Sequence, residues 1–169
     1  MSFFAKTLPC AAILLSFLWP LVSLSLGEIE IILEIDELDE TLEIESVEWG
    51  MKNPSTYMNP EPPEFDDVGF ASLLSESSPE LFLRTASGNH FTQAKLSFYE
   101  KGQANPFYEI TLDTVTISSA GIETTEEEVR QEISLYYLKI RWTYYTFDSE
   151  GEVDEVFEEG WDRASQSQW

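Results

Sequence analysis

The apolar residues of this chain fall mostly on every second position. Glu28 to Ile35 reads Glu-Ile-Glu-Ile-Ile-Leu-Glu-Ile, a near-alternation that suits a strand with one buried face. In Thr41 to Trp49, Leu42 and Ile44 share a face and the phase then shifts to Val47 and Trp49, which predicts a β-bulge near Ser46. Phe91 to Glu100, with Ala94, Leu96 and Phe98 on one face, and Phe107 to Ile117, with Tyr108, Ile110 and Leu112, predict a hairpin joined through Lys101 to Pro106. Ile122 to Arg130 is acidic and weakly patterned, a loop or a helical turn. Glu132 to Phe147 predicts a long strand with Tyr136, Leu138, Ile140, Trp142 and Tyr144 on one face. A turn over Asp148 to Glu152 then returns the chain as a last strand from Val153 to Trp161.

Two stretches leave this pattern. Ser78-Pro79-Glu80, then Leu81 and Phe82, then Gly88 give an N-cap, a proline in the first turn, an early acid and a closing glycine, so one short helix is expected there. Between Gly50 and Val68 lie Asn53, Pro54, Asn59, Pro60, Pro62 and Pro63, which predict a long loop with neither ladder nor helix running through it. Loops of that length are functional or disordered, and the residues alone favour neither. About six strands and one helix indicate an antiparallel barrel or sandwich.

The chain has 169 residues, room for one well-buried core. Aromatics at 14% supply that core, so the acidic composition is not that of a disordered tail. Thirty-two acids against nine Lys and Arg give a net charge of -23. Such a surface repels phosphate backbones, and nucleic acid is excluded as an expected partner.

Residues 1–27 carry one cation, Lys6, ahead of an uncharged run from Ala11 to Leu26, the layout of a secretory signal with small residues near Ser25 and Gly27 for cleavage. The expected division is therefore a leader over 1–27 and one β domain over 28–169, with an exported protein as the product. A retained membrane anchor and a soluble cytoplasmic form are the alternatives, and membrane contact is expected only through an uncleaved leader. The single cysteine, Cys10, falls in the leader and allows neither an internal disulfide nor a zinc site.

No constellation of catalytic residues emerges. His90 is the only histidine and follows Gly88-Asn89, where it reads as a C-cap or turn residue. Paired carboxylates carry little meaning among 32 acids. Asp148 to Glu159 matches the acids of a calcium loop, but its sixth position is Val153 where glycine is needed, so a hairpin turn is the better reading. Neither an enzyme nor a bound cofactor is expected.

The pieces have a familiar order. Glu45-Ser46-Val47-Glu48-Trp49-Gly50, Phe70, Ser77 through Phe82, Ala86 through His90, Ala94 through Phe98, Tyr108 through Leu112, Val115 through Ser119, Glu132 through Leu135, Lys139 through Tyr144 and Gly160-Trp161-Asp162 together resemble the haemolysin-coregulated protein (Hcp) family of type VI secretion. The likeness spans roughly Thr41 to Asp162.

The resemblance implies a mainly β fold, an antiparallel β-barrel of two packed sheets with one short flanking α-helix. It also implies a structural role: six copies in a ring, rings stacked into a tube, with spike, sheath and small effector proteins as partners. The family-motif residues are Trp49, Gly50, Phe70, Pro79, Phe82, Gly88, Trp142, Gly160 and Trp161. Pro79 is expected to start the helix, and Phe82 and Trp142 to anchor it to the barrel. The loop with Asn53, Pro54, Tyr57, Met58 and Pro60 corresponds to the place where the family extends a contact toward a neighbouring ring. The rival reading is an exported barrel that binds partners without polymerising.

Overall fold

The computed structural model describes residues 28–169, so the expectations for the leader lie outside the described residues. The elements are β1 (Ile29–Ile35), β2 (Leu42–Ile44), β3 (Ser46–Glu48), β4 (Met51–Lys52), β5 (Glu64–Phe65), β6 (Val68–Leu73), α1 (Ser78–Ser87), β7 (His90–Glu100), β8 (Tyr108–Thr124), β9 (Val129–Phe147), β10 (Val153–Asp162) and β11 (Ser167–Gln168). None of the described helices is long and apolar enough to cross a membrane.

Nine strands form one antiparallel sheet in the order β11-β10-β9-β8-β7-β1-β2, with β6 also paired to β9 and β3 to β6. The mainly β class is as expected. The two walls, however, belong to one curled sheet, and the turn between them is made at Glu45. There β2 leaves β1, β3 joins β6, and the Glu45 N–H donates to the Ala71 carbonyl at 2.9 Å. This corner is the phase shift read near Ser46. One core fills the curl: Leu33, Leu42, Ile44, Phe70, Leu96, Leu112, Leu135 and Ile140 are all buried in it.

The long strands do not keep one inward set. On β8 the buried apolar residues are Ile110 and Leu112, then Val115 and Ile117; on β9 they are Ile133, Leu135 and Tyr137, then Ile140. On β7 they step from Phe91 to Ala94 and Leu96. All three slips lie at one level, around Thr114, whose φ of 54° is left-handed; the register is the same on either side of that level, and β8 shifts by one against β9 only further on, between Ile117 and Ser119. The single face expected for Tyr136 to Tyr144 is therefore corrected: Tyr136 is exposed, and its neighbour Tyr137 fills the core.

The acidic Ile122 to Arg130 stretch is neither helical nor mostly loop. β8 and β9 extend through it as a hairpin, with Glu123 opposite Arg130 and a turn in which the Thr125 N–H donates to the Glu128 carbonyl. His90 opens β7 opposite Thr116 and is not a helix cap.

Helix α1 ends as read, on Gly88 with φ 69°. Its N-cap is Ser77, not Ser78, and Ser77 makes no side-chain cap bond. The cap comes from elsewhere: the Glu40 carboxylate accepts the Ser77 N–H at 2.8 Å and the Ser75 hydroxyl at 2.5 Å. Those bonds hold the Glu40 carboxyl below its ordinary pKa. Leu81 is the fully buried anchor of the helix, and Phe82 is half-buried beside it.

Candidate functional site

The stretch from Gly50 to Asp66 is an arm with internal order. Contrary to the sequence expectation, a short ladder does run through it: Met51 pairs with Phe65 and Lys52 with Glu64, and the latter two form an ion pair at 2.7 Å. Further out, Thr56 and Asn59 exchange backbone hydrogen bonds of 3.0 and 3.2 Å. The Ser55 hydroxyl ties back to Glu61, and the Asn53 carboxamide oxygen accepts the Ser55 N–H at 2.9 Å. Pro54 is half-buried at this turn and Pro60 is exposed. The tip is the pair Tyr57-Met58, exposed by 104% and 92%.

Both feet of the arm meet one buried tyrosine. The Trp49 Nε1–H donates to the Tyr137 hydroxyl at 2.7 Å, and that hydroxyl donates to the Asp66 carbonyl at 3.2 Å. Burial pushes the Tyr137 hydroxyl up to about 12. The feet also meet directly, the Asp66 N–H donating to the Gly50 carbonyl at 3.0 Å. A side chain on Gly50 would start 2.9 Å from an Asp66 carboxylate oxygen, which would have to rotate aside. Trp142 packs tilted against Trp49 with ring centres 5.7 Å apart. Trp142 thus packs at the foot of the arm.

Arg163 completes the socket. Its guanidinium lies over the rings of Phe65, Tyr136 and Tyr137 at 5.7, 4.7 and 4.8 Å, and its Nη1–H donates to the Tyr137 carbonyl at 2.9 Å. A groove of about 390 Å³ runs beside it between Pro62, Pro63 and Trp161.

The other motif residues are dispersed. Phe70 sits in the core opposite Val47 and Ile133. Pro79 is in the first helical turn, with its ring exposed. Gly160 admits the chain end, since a Cβ there would stand 2.8 Å from the Trp169 carbonyl. Tyr137, Asp66 and Arg163 were not singled out by sequence; no local signal distinguishes them, because each acts through a distant partner. The Asp148 to Glu152 segment is a turn, with the Asp148 carboxylate accepting the Glu150 and Glu152 N–H groups. No cluster of three metal-ligating side chains occurs among the described residues.

Fold and site define a class: a one-core antiparallel β protein with a flanking helix and a footed, projecting arm. Residues 33–144 match the family described as type VI secretion system effector, Hcp, and the chain belongs to that family. It is 28% identical over 92 residues to protein hcp1 of Pseudomonas aeruginosa, a match that spans 52% of this chain and little over half, 57%, of that relative. A solved type six secretion system protein superposes with a TM-score of 0.74 at 17% identity, over 84% of this chain and all of that one. Hcp1 from Salmonella typhimurium gives 0.67 at 20% identity, over 83% and 99%. At these identities the two structures establish the fold.

Proposed function

We propose that this protein is a structural subunit that assembles with copies of itself into a six-membered ring, and ring upon ring into a tube of the type VI secretion kind. The observation that carries the reading is the arm: its feet are tied to the core through Tyr137 while Tyr57 and Met58 stand wholly in solvent. A rigid base with an apolar tip is built for contact with another molecule, because exposing those two side chains gains nothing in the monomer. Membership of the Hcp family supports the reading; six copies per ring, and spike, sheath and effector proteins as partners, are part of the proposal. No catalytic step is assigned. The leader over 1–27 is read as directing export, with the domain over 28–169 as the mature protein.

Charge sets the conditions for assembly. Beyond Lys6 the chain holds eight cations against 32 acids, or -24 per subunit. Repulsion between subunits weakens as the screening length falls to about 8 Å at physiological salt. Native mass spectrometry across a series of volatile-salt concentrations tests this: a six-membered species should grow with salt, and a monomer at every concentration would reject the ring. Tyr57→Asp with Met58→Asp should abolish stacking and leave single rings. The same charge favours a second reading, an exported module that stays monomeric and binds basic partners.

A further inference from the structure

The β9–β10 hairpin carries a surface that neither the core nor the arm uses. β10 pairs with β9 along one side, whereas on the other side β11 covers only Trp161 and Asp162. The Trp169 N–H reaches the Gly160 carbonyl, so among the described residues the backbone of Val153 to Glu159 lies along an open edge. Unpaired N–H and C=O groups in such an edge are a template for an added strand.

The side chains make the edge adhesive and selective. Val156 and Phe157 are exposed by 53% and 55%, and Phe157 stands opposite Tyr144, itself 49% exposed. Phe98, Tyr108, Tyr144 and Phe157 are direct cross-strand partners on four successive strands, so the apolar face of the core runs out to this edge uncovered. Asp148 to Glu159 also holds seven acids in twelve residues and no cation.

A second copy fits this edge badly. Two β10 strands set side by side would oppose five acids to five, Asp154, Glu155, Glu158, Glu159 and Asp162 of each. Cations from elsewhere in a second copy are already engaged. Of the eight in residues 28–169, seven lie within 4.0 Å of a carboxylate of their own chain, and Arg163 is held by three aromatic rings and a carbonyl. Glu158 has Arg141 at 3.7 Å and Glu159 accepts from Gln168, but these are exposed contacts that a partner's cations can replace. A second copy brings eight cations against 32 acids, so charge complementarity favours another protein.

We propose that the β10 edge binds, by strand addition, an extended segment of a different protein in which two adjacent cations neighbour two adjacent apolar residues. The register gives that pattern. Val156 and Glu158 face one side of the sheet and Phe157 and Glu159 the other, so an antiparallel partner meets Glu159 and Glu158 first and then Phe157 and Val156. Backbone hydrogen bonds would supply affinity and the flanking side chains specificity. The inference does not depend on the arm or on ring formation.

The test uses the whole chain and two short synthetic peptides, one carrying Lys-Lys-Val-Val between threonines and the other Glu-Glu-Val-Val. Binding is read by peptide fluorescence anisotropy, and its location by hydrogen exchange followed by mass spectrometry. Only the basic peptide should bind saturably, more weakly at high salt, and it should protect Val153 to Glu159. Phe157→Asp should weaken it by about tenfold or more. Glu158→Lys with Glu159→Lys should transfer the preference to the acidic peptide; both sites are exposed, and the variant gives up only the surface contacts to Arg141 and Gln168. Equal binding of the two peptides, protection elsewhere, or no saturation at millimolar peptide would overturn the proposal. So would concentration-dependent protection of this segment in the protein alone, which would make the occupant a second copy.

Discussion

Trp49 and Tyr137 lie 88 positions apart in sequence, and the indole N–H of the first donates to the hydroxyl of the second at 2.7 Å. Because the same hydroxyl donates to the Asp66 carbonyl, one core side chain fixes the entrance and the exit of the arm.

Tyr137→Phe should therefore do more than lose a hydroxyl. It leaves the Trp49 N–H and the Asp66 carbonyl without their partner, a loss of about 1–3 kcal/mol for a half-buried polar group. Urea unfolding should show the loss of stability, and amide exchange within the arm should quicken. Unchanged exchange at Asp66 would mean that the arm is held by its own ladder.

Alkaline pH should weaken the fold through two tyrosines. Burial pushes both Tyr137 and Tyr145 up to about 12, and for Tyr145 the Glu109 carboxylate adds to the effect. An unfolded tyrosine ionises at about pH 10. Below that value both states are neutral and nothing changes; between about pH 10 and 12 the unfolded chain loses protons first, so stability falls as pH rises. Denaturation midpoints across this range should drop, and less steeply in Tyr137→Phe.

The two helix residues should separate in a mutational comparison. Leu81 is fully buried and Phe82 only half-buried. Leu81→Ala should cost about 2–5 kcal/mol, the ordinary range for a buried leucine, and Phe82→Ala less despite its larger side chain. Thermal unfolding of the two variants decides the order; a larger loss at Phe82 would contradict the packing.

Gly160→Ala should destabilise the C-terminus, since the new methyl would stand 2.8 Å from the Trp169 carbonyl and 3.2 Å from that of Ile140. Overpacking of this kind costs about 1–3 kcal/mol. Truncating Ser167 to Trp169 as well should recover part of the loss, measured as a smaller shift in Tm than that of Gly160→Ala in the intact chain. No recovery would place the strain at Ile140.

Much of the architecture is legible in the residues because it depends on neighbours in sequence. Alternation marks the strands; Pro79 and Gly88 mark the two ends of the helix through their fixed backbone preferences. The phase shift after Ile44 marks the corner at Glu45, since adjacent residues on a strand must face opposite sides. The arm is legible as an interruption, from its prolines, but not its internal ladder, for which Met51, Lys52, Glu64 and Phe65 show no pattern of their own.

What the tertiary structure decided are the relations between distant residues. The inward set of β9 changes at the level of Thr114, and neither strand signals this alone: the left-handed turn of one residue on β8 shifts its neighbours together through the ladder. Glu40 caps a helix that begins well beyond it, and Tyr137 holds an arm that ends long before it. Periodicity reports which side of its own strand a residue occupies. The partner it meets there depends on how the sheet curls, and that is set by the packing of the whole core.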